Sequence, residues 1–385
     1  MKKSRCGSAA ALLLLVAGAA AAADKPRARA LGVPFDGTPG PQNAITDVRG
    51  VEVGHSTIIR GDGPLKVGQG PVRTGVTAVL PRGAASVEDA VFSGWFSQNG
   101  NGEMTGTTWV EESGFLEGPV MITNTHSVGV VRDEVIAWRV RRGAADKSGY
   151  WWSLPVVAET WDGELNDVNG FHVKPAHVDE ALSSARGGAV AEGNVGGGTG
   201  MVCYGFKGGI GTASRKLSAK QGGYTVGVLV QCNCGRKEDL LIAGVPVGRE
   251  IAGPGTRDAD TGSIIIVVAT DAPLLPHQLK RLTRRATMGL ARTGSFSGNG
   301  SGDIFIAFST ANPGAGAADG ALKVSMLSNG AMDPLFTATV QATEEAIVNA
   351  MVAAETMTGA NGVTVRALPQ DQLRRALEKH NRLSK

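Results

Sequence analysis

Two kinds of hydrophobic pattern recur along the chain, and they predict strands and helices respectively. Nearly unbroken apolar, β-branched runs at Ser263–Thr270 and 224–233 are typical of strands buried on both faces. Apolar residues that recur on one face instead predict amphipathic helices over 274–292, 337–357 and 371–385. The chain therefore carries long elements of both kinds.

Shorter segments complete the predicted order of elements. Short apolar runs indicate further strands at 76–80, 120–123, 128–131 and 303–308, and 133–141 reads as a helix. Strands and helices come in runs, without regular alternation, and this order favours antiparallel sheets covered by helices. The sequence thus predicts an α+β protein.

The first 23 residues have the composition of an export signal. Basic residues at Lys2, Lys3 and Arg5 precede a short apolar core at 9–17, and three alanines stand before Asp24. This core is too short to cross a bilayer, which takes about 20 residues. We therefore expect residues 1–23 to be cleaved and the mature protein to be periplasmic or secreted.

Composition narrows the choice of partners for the rest of the chain. A Pro/Gly-rich arm at 24–42 leads into one predicted catalytic domain at 43–385. Lys and Arg number 38 against 35 Asp and Glu, and no basic stripe with interleaved aromatics is present. Nucleic acid is therefore not an expected partner. No later segment is long and apolar enough to predict a membrane helix.

Three cysteines remain after the predicted signal: Cys203, Cys232 and Cys234. An odd number argues against a disulfide framework in an exported protein. Cys232 and Cys234 are two residues apart, so their side chains lie on the same face of a strand. We interpret all three as small buried hydrophobic residues rather than as metal ligands.

Sequence motifs for cofactors are incomplete. The glycine-rich segment at 193–200 follows no clear strand and lacks the Lys-Ser/Thr pair of a phosphate-binding loop. The six histidines are scattered, with no pair at i and i+4. We therefore expect a close-packed or flexible loop at 193–200, and neither a metal nor an organic cofactor.

The strongest candidate for catalysis is the pair Gly262 and Ser263 at the start of a buried strand. Glycine permits backbone geometries that other residues avoid, and a serine at this position is a candidate nucleophile. If Ser263 attacks the carbonyl of Gly262, the α-amine released at Ser263 can serve as its base. The alternative interpretation is a turn followed by a core strand.

Three further polar residues stand near predicted strand ends. Ser301 and Asp303 lie in a glycine-rich loop before a strand, where they could orient Ser263 through hydrogen bonds. Asn233 ends another buried strand, and its amide could face a developing oxyanion. Each also has a structural interpretation: a turn serine, a capping carboxylate and a strand-end amide bonded to a turn.

Taken together, these segments resemble the self-processing serine aminopeptidases, the family of the L-aminopeptidase/D-amidase-esterase and the bacterial β-aminopeptidases. The resemblance covers almost the whole chain after the signal. Besides Gly262-Ser263 and its strand, it rests on NAITDV at 43–48, GVEVGH at 50–55, NTHSVG at 124–129, GNVGGGTG at 193–200, ARTGS at 291–295 and SGDIF at 301–305.

The resemblance implies a four-layer αββα sandwich like that of the N-terminal nucleophile (Ntn) hydrolases, with altered strand connectivity. It also implies cleavage between Gly262 and Ser263 into an α chain, 24–262, and a β chain, 263–385. These chains would stay associated, and the αβ pairs would form a homotetramer.

The resemblance also assigns roles to individual residues. Ser263 would be the nucleophile, supported by Ser301 and Asp303, and Asn233 would contribute to the oxyanion site. Some members carry Glu where this chain has Asp303. Glu159, in AETWDG at 158–163, would hold the free amino group of the substrate. Trp161 would lie beside it, where some relatives have tyrosine; an indole N–H can only donate.

The expected function is therefore an exported, self-processed aminopeptidase with amidase and esterase activity, acting through an acyl-enzyme on Ser263. Its substrates would be peptides or aminoacyl amides and esters with a free amino group. The preferred acyl group, α-L, D or β, does not follow from the sequence. One alternative is an acyltransferase like the self-cleaving N-acetyltransferases. The other is a non-catalytic periplasmic binding protein.

Overall fold

The computed structural model describes residues 25–143, 152–253, 255, 262–316 and 320–384. The predicted signal peptide at 1–23 lies outside these residues. In the described ranges, no helix combines the length and apolar composition that crossing a bilayer requires.

Strands and helices follow one another in irregular order along the described residues. The strands are β1 (Glu52–Arg60), β2 (Val72–Leu80), β3 (Val91–Ser97), β4 (Phe115–Leu116), β5 (Val120–Asn124), β6 (Val156–Thr160), β7 (Val202–Cys203), β8 (Phe206–Lys207), β9 (Gly209–Lys216), β10 (Thr225–Asn233), β11 (Ser263–Thr270), β12 (Ile304–Ser309), β13 (Met357–Thr358) and β14 (Thr364–Val365). The helices are α1 (Thr107–Ser113), α2 (Val128–Arg141), α3 (Pro175–Ser183), α4 (Val247–Glu250), α5 (Pro276–Arg292), α6 (Asp333–Val352) and α7 (Gln370–Lys379).

Two sheets form the centre of the molecule. The smaller sheet has the strand order β1-β2-β5-β6, and the larger has the order β4-β3-β12-β11-β10-β9. Helices α2 and α3 pack on the smaller sheet, and α5 and α6 pack on the larger one. The result is the predicted four-layer αββα sandwich.

Apolar side chains fill the space between these layers. Between the sheets, Val79 and Ile122 of the smaller sheet share a cluster with Ile265 and Ile306 of the larger one. Separate apolar clusters lie between each sheet and its helices. All eight residues of β11 are buried, which explains its continuous apolar run. Burying each Ile or Val side chain contributes about 1.5–3 kcal/mol relative to exposure.

The sequence pattern predicted the long elements well, but two of the predictions about the fold were wrong. The apolar run at 128–131 is the first turn of α2, because the branched residues there face the smaller sheet as part of a helix. The sheets are also not purely antiparallel, because β5 pairs with β6 and β11 pairs with β12 in parallel. The second of these pairs determines the geometry of the site.

The cysteine prediction is half corrected. All three side chains are buried as expected, but Cys203 and Cys232 form a disulfide with a Cα–Cα distance of 5.8 Å. The third sulfur, Sγ of Cys234, lies 3.9 Å from Sγ of Cys232 on the same side of the chain. Three cysteines still allow one disulfide, and Cys203 and Cys232 are neighbours because β7 packs beside the end of β10.

The glycine-rich segment at 193–200 is a buried, close-packed loop. A Cβ added at Gly198 would lie 2.5 Å from the backbone nitrogen of Ile210, and one at Gly197 would lie 2.8 Å from the carbonyl oxygen of Ile122. These glycines therefore let the loop approach strands of both sheets, and this packing accounts for the motif without a nucleotide.

Candidate active site

The parallel pairing of β11 and β12 brings the predicted catalytic residues together. Parallel neighbours begin at the same edge of a sheet, and Ile265 lies opposite Ile304. Ser263 at the start of β11 therefore lies beside the loop that precedes β12, which carries Ser301 and Asp303. An antiparallel pair would have placed these two strand starts at opposite edges.

Ser263 is held at this edge by the backbone of the neighbouring loop. Its side chain is buried, and its Oγ accepts a hydrogen bond of 3.0 Å from the N–H of Gly302. A Cβ at Gly302 would lie 2.3 Å from the carbonyl oxygen of Asn101, so only glycine lets the two loops approach this closely. The position of the Ser263 hydroxyl thus depends on the packing of residues 298–303 against 98–103.

Ser301 and Asp303 form a buried hydroxyl–carboxylate pair next to Ser263. Oγ of Ser301 donates to Oδ1 of Asp303 over 2.6 Å, and the same oxygen accepts from the N–H of Ile264 at 3.2 Å. The backbone N–H of Asp303 donates to Oδ1 of Asn99 over 2.6 Å. Asp303 is therefore fixed from both sides. We call Ser263, Ser301, Gly302, Asp303 and Asn99 the nucleophile wall.

Asn233 is the direct neighbour of Ser263 across β10 and β11. Its Oδ1 accepts from the N–H of Val202 at 2.8 Å, and its Nδ2 donates to the carbonyl oxygen of Trp161 at 2.9 Å. The predicted oxyanion role of Asn233 stays a prediction, and the strand-end amide interpretation describes its contacts as well.

Glu159 comes from the other sheet and faces the same space. It is 3% exposed; Oε1 accepts from the N–H of Glu103 at 3.0 Å, and Oε2 accepts from Oγ1 of Thr125. Burial raises the pKa of Glu159, while these two hydrogen bonds oppose that rise and the charge of Glu103 adds to it. The site thus holds a carboxylate that has lost most of its water.

Residues from both sheets line one cavity of about 620 Å³, among them Ser263, Glu159 and Trp161. Trp161 is 41% exposed, so its ring forms part of the entrance. Glu103 and Thr125 also line this cavity. We call Glu103, Thr125, Glu159 and Trp161 the recognition wall.

No sequence pattern singles out Asn99, Glu103, Thr125 or Gly302 as an individual site residue. Thr125 and Gly302 fall inside the strings that carried the family resemblance. The loop at 98–103, by contrast, follows a strand end and has only polar residues and glycine before Glu103. Nothing local signals that this loop packs on the segment before β12, more than 190 residues later.

The four-layer sandwich belongs to the fold class of the Ntn hydrolases. Residues 43–365 match the model of peptidase family S58, and the chain belongs to this family of aminopeptidases. The predicted resemblance is thereby confirmed, and the activity is that of a hydrolase rather than of a binding protein.

Individual relatives are similar over nearly their full length. The β-peptidyl aminopeptidase BapA of Sphingosinicella microcystinivorans is 56% identical over 378 residues, which cover 94% of each chain. The structure of the L-aminopeptidase D-Ala-esterase/amidase of Ochrobactrum anthropi, described as a new variant of the Ntn hydrolase fold, superposes with a TM-score of 0.86 at 49% identity, covering 94% of this chain and 100% of that one. A β-aminopeptidase from Burkholderia sp. superposes with a TM-score of 0.84 at 48% identity, covering 92% and 99%.

Proposed function

We propose that this aminopeptidase is exported, processes itself between Gly262 and Ser263, and hydrolyses aminoacyl peptides, amides and esters through an acyl-enzyme on Ser263. The observation that carries the proposal is the shared cavity: a serine at a strand start faces a buried carboxylate across a space the size of a small substrate.

Self-processing would use the same hydroxyl as the later reaction. Oγ of Ser263 attacks the carbonyl carbon of Gly262, and the amide bond breaks as an ester forms. This step passes the hydroxyl proton to the departing nitrogen and so frees the α-amine of Ser263. Water then hydrolyses the ester, so that Gly262 ends as a carboxylate and Ser263 regains its hydroxyl. An unperturbed α-amine has a pKa of about 7.7–8.0, which suits it to accept the hydroxyl proton near neutral pH.

In turnover, the α-amine takes the proton from Oγ of Ser263 as that oxygen attacks the substrate carbonyl. Ser301 and Asp303 support the nucleophile through their buried hydrogen bonds, and Asn233 with backbone N–H groups stabilises the oxyanion. When the tetrahedral intermediate breaks down, the α-ammonium group returns its proton to the leaving amine, ammonia or alcohol, and an ester remains on Ser263. Water then releases the amino acid and restores the hydroxyl.

The recognition wall would make the enzyme an exopeptidase. Glu159 pairs with the ammonium group of the substrate, and this charge pair is strong because the carboxylate is already buried. A residue inside a peptide chain has no such group and would leave Glu159 unpaired. The β-peptidyl aminopeptidases among the relatives motivate a preference for β-aminoacyl groups.

Assembly and location complete the proposal. The α chain 24–262 and the β chain 263–385 would stay together, because β11 lies between β10 of one chain and β12 of the other within a single sheet. Family membership motivates a homotetramer of αβ pairs. The composition of residues 1–23 motivates export to the periplasm or medium.

The decisive test is expression of the full chain, followed by intact mass measurement and N-terminal sequencing. We expect two polypeptides, the smaller beginning at Ser263, and hydrolysis of a panel of L-, D- and β-aminoacyl p-nitroanilides. Ser263→Ala should remain a single chain and lose at least about 10⁴-fold in kcat/KM, since it removes the nucleophile.

A matched control is Ser309→Ala at the opposite end of β12, whose hydroxyl donates to the carbonyl oxygen of Ala272. This variant should still be processed and active. An uncut wild-type chain that hydrolyses the panel at full rate would refute the self-processing mechanism.

A further inference from the structure

The charged side chains that line the cavity, among the described residues, are all negative. Of the described residues that line it, Glu103 and Glu159 carry carboxylates and none is Lys, Arg or His. The proposed function uses one negative charge, that of Glu159, to hold one ammonium group. A second carboxylate on the same wall therefore has no role in that scheme.

The two carboxylates differ in their surroundings. Glu159 is 3% exposed and both of its oxygens accept hydrogen bonds. Glu103 is exposed, and within the described part of the chain its carboxylate has neither a hydrogen bond nor a salt bridge. Glu103 thus presents a hydrated, un-neutralised charge at the open side of the cavity.

The backbone keeps these two charges close together. The N–H of Glu103 donates to Oε1 of Glu159, so the two residues are tied through a main-chain bond of 3.0 Å. The negative charge of Glu103 is also among the influences that raise the pKa of Glu159. A substrate whose ammonium group rests on Glu159 therefore has its nearby atoms in the field of Glu103.

We propose that Glu103 is a specificity-determining residue, which favours acyl groups that carry a second positive charge on their side chain. This inference rests on the proposed function, since it takes Glu159 as the anchor of the first ammonium group. The first ammonium group binds to the buried Glu159. The second positive group, an amine or guanidinium, is attracted by Glu103, which lies nearer to solvent.

The expected effect is moderate because Glu103 is exposed and its interaction is screened by salt. We expect the ratio of kcat/KM for a dicationic acyl group over an uncharged isostere to fall about three- to tenfold when the charge of Glu103 is removed. The change should reside mainly in KM, because an attraction present in both the bound substrate and the transition state affects binding.

The test compares lysyl p-nitroanilide with norleucyl p-nitroanilide, and their β-homologues, on the processed enzyme. Glu103→Gln keeps the main-chain bond to Glu159 and removes only the charge. Glu103→Asp keeps the charge, and Glu103→Lys reverses it. We expect the lysyl/norleucyl ratio to fall in Glu103→Gln, to persist in Glu103→Asp and to fall further in Glu103→Lys. High salt should reduce the wild-type ratio.

Glu378→Gln on the exposed side of α7 is the matched control for loss of one surface carboxylate. An unchanged lysyl/norleucyl ratio in Glu103→Gln would overturn the inference, including the case in which both substrates lose activity together. An equal fall in Glu378→Gln would overturn it too. If the wild-type enzyme hydrolyses none of these substrates, the proposed function itself fails, and the two failures are thereby distinguished.

Discussion

The two walls of the cavity are built in different ways. The nucleophile wall belongs to the larger sheet and its adjoining loops. Ser263, Ser301 and Asp303 are buried; Ser301 donates to Asp303, and backbone N–H groups of Gly302 and Ile264 donate to Ser263 and Asp303 respectively. Three residues of the recognition wall, Thr125, Glu159 and Trp161, belong to the smaller sheet and its adjoining loops, whereas Glu103 lies in the loop after β3 of the larger sheet. Glu103 and Trp161 reach solvent. The three side chains of the first wall are buried and hydrogen-bonded, whereas the second wall is partly open to solvent.

This difference separates two kinds of control. Under the proposed function, the nucleophile wall fixes the attacking hydroxyl, so changes there should alter kcat. The recognition wall would then decide which substrate is bound and in which protonation state, so changes there should alter KM, selectivity and the pH profile. A substitution on one wall that produced the signature of the other would break this comparison.

The largest effect expected in this comparison is on the nucleophile wall, at Asp303. Asp303→Asn keeps an oxygen that can accept from Ser301 and Ile264 but removes the negative charge. We expect kcat to fall at least about 100-fold, the lower end of the range for a positioned acid–base group, with little change in KM. Steady-state kinetics on processed enzyme would measure this.

Asp303→Glu is the control for that substitution, because it restores the charge on a longer arm. It should recover part of kcat. If Asp303→Asn instead raised KM and left kcat unchanged, Asp303 would belong functionally to the recognition wall. Chain cleavage should be scored separately, because slow processing would otherwise imitate slow turnover.

A smaller effect is expected on the recognition wall, at Glu159. Glu159→Gln keeps the size of the side chain and removes the charge that would face the substrate ammonium group. Loss of one member of a buried charge pair is typically 2–5 kcal/mol, so we expect kcat/KM to fall at least about 30-fold, mainly through KM. Hydrolysis of an N-acetylated substrate should not fall, since it lacks the ammonium group.

An equal loss of kcat/KM for free and N-acetylated substrates would contradict this role of Glu159. Such a result would mean that Glu159 supports the shape of the cavity instead of recognising the amine. Thermal unfolding of the variant would show whether that shape is preserved.

The two walls also differed in how far the sequence predicted them. The nucleophile wall contains a local signal, because a buried β-branched strand that begins with Gly-Ser is unusual, and Ser301 and Asp303 precede another strand. What could not be read locally was the parallel pairing of these strands, since the sequence pattern favoured antiparallel sheets. Only that pairing explains why two distant strand starts meet.

The recognition wall offered much weaker local signals. Glu159 and Trp161 entered through the family resemblance alone, and Glu103 was not recognised. Its position depends on a loop after β3 that packs on the segment before β12, and such long-range packing leaves no periodic pattern. The Cys203–Cys232 disulfide was missed for a similar reason, because counting cysteines does not reveal which strands are neighbours.

The smallest effect expected concerns the acid limb of the pH profile, which the recognition wall should control. Burial raises the pKa of Glu159, and the hydrogen bond from Thr125 opposes this rise by favouring the charged form. A carboxyl group is charged above its pKa, so binding of the ammonium group is lost as pH falls through that value. The acid limb should therefore lie above the pH expected for an ordinary glutamate.

Thr125→Val tests this assignment because it removes the hydroxyl and nearly preserves the shape of the side chain. Without that hydrogen bond the pKa of Glu159 rises further, and the acid limb of kcat/KM should move to higher pH while the rate at its plateau changes little. Thr339→Val, which removes a hydroxyl bonded inside α6, is the matched control and should not move the limb. A limb that stayed fixed in Thr125→Val would assign the titration to the nucleophile wall and remove the clearest distinction between the two sides of the cavity.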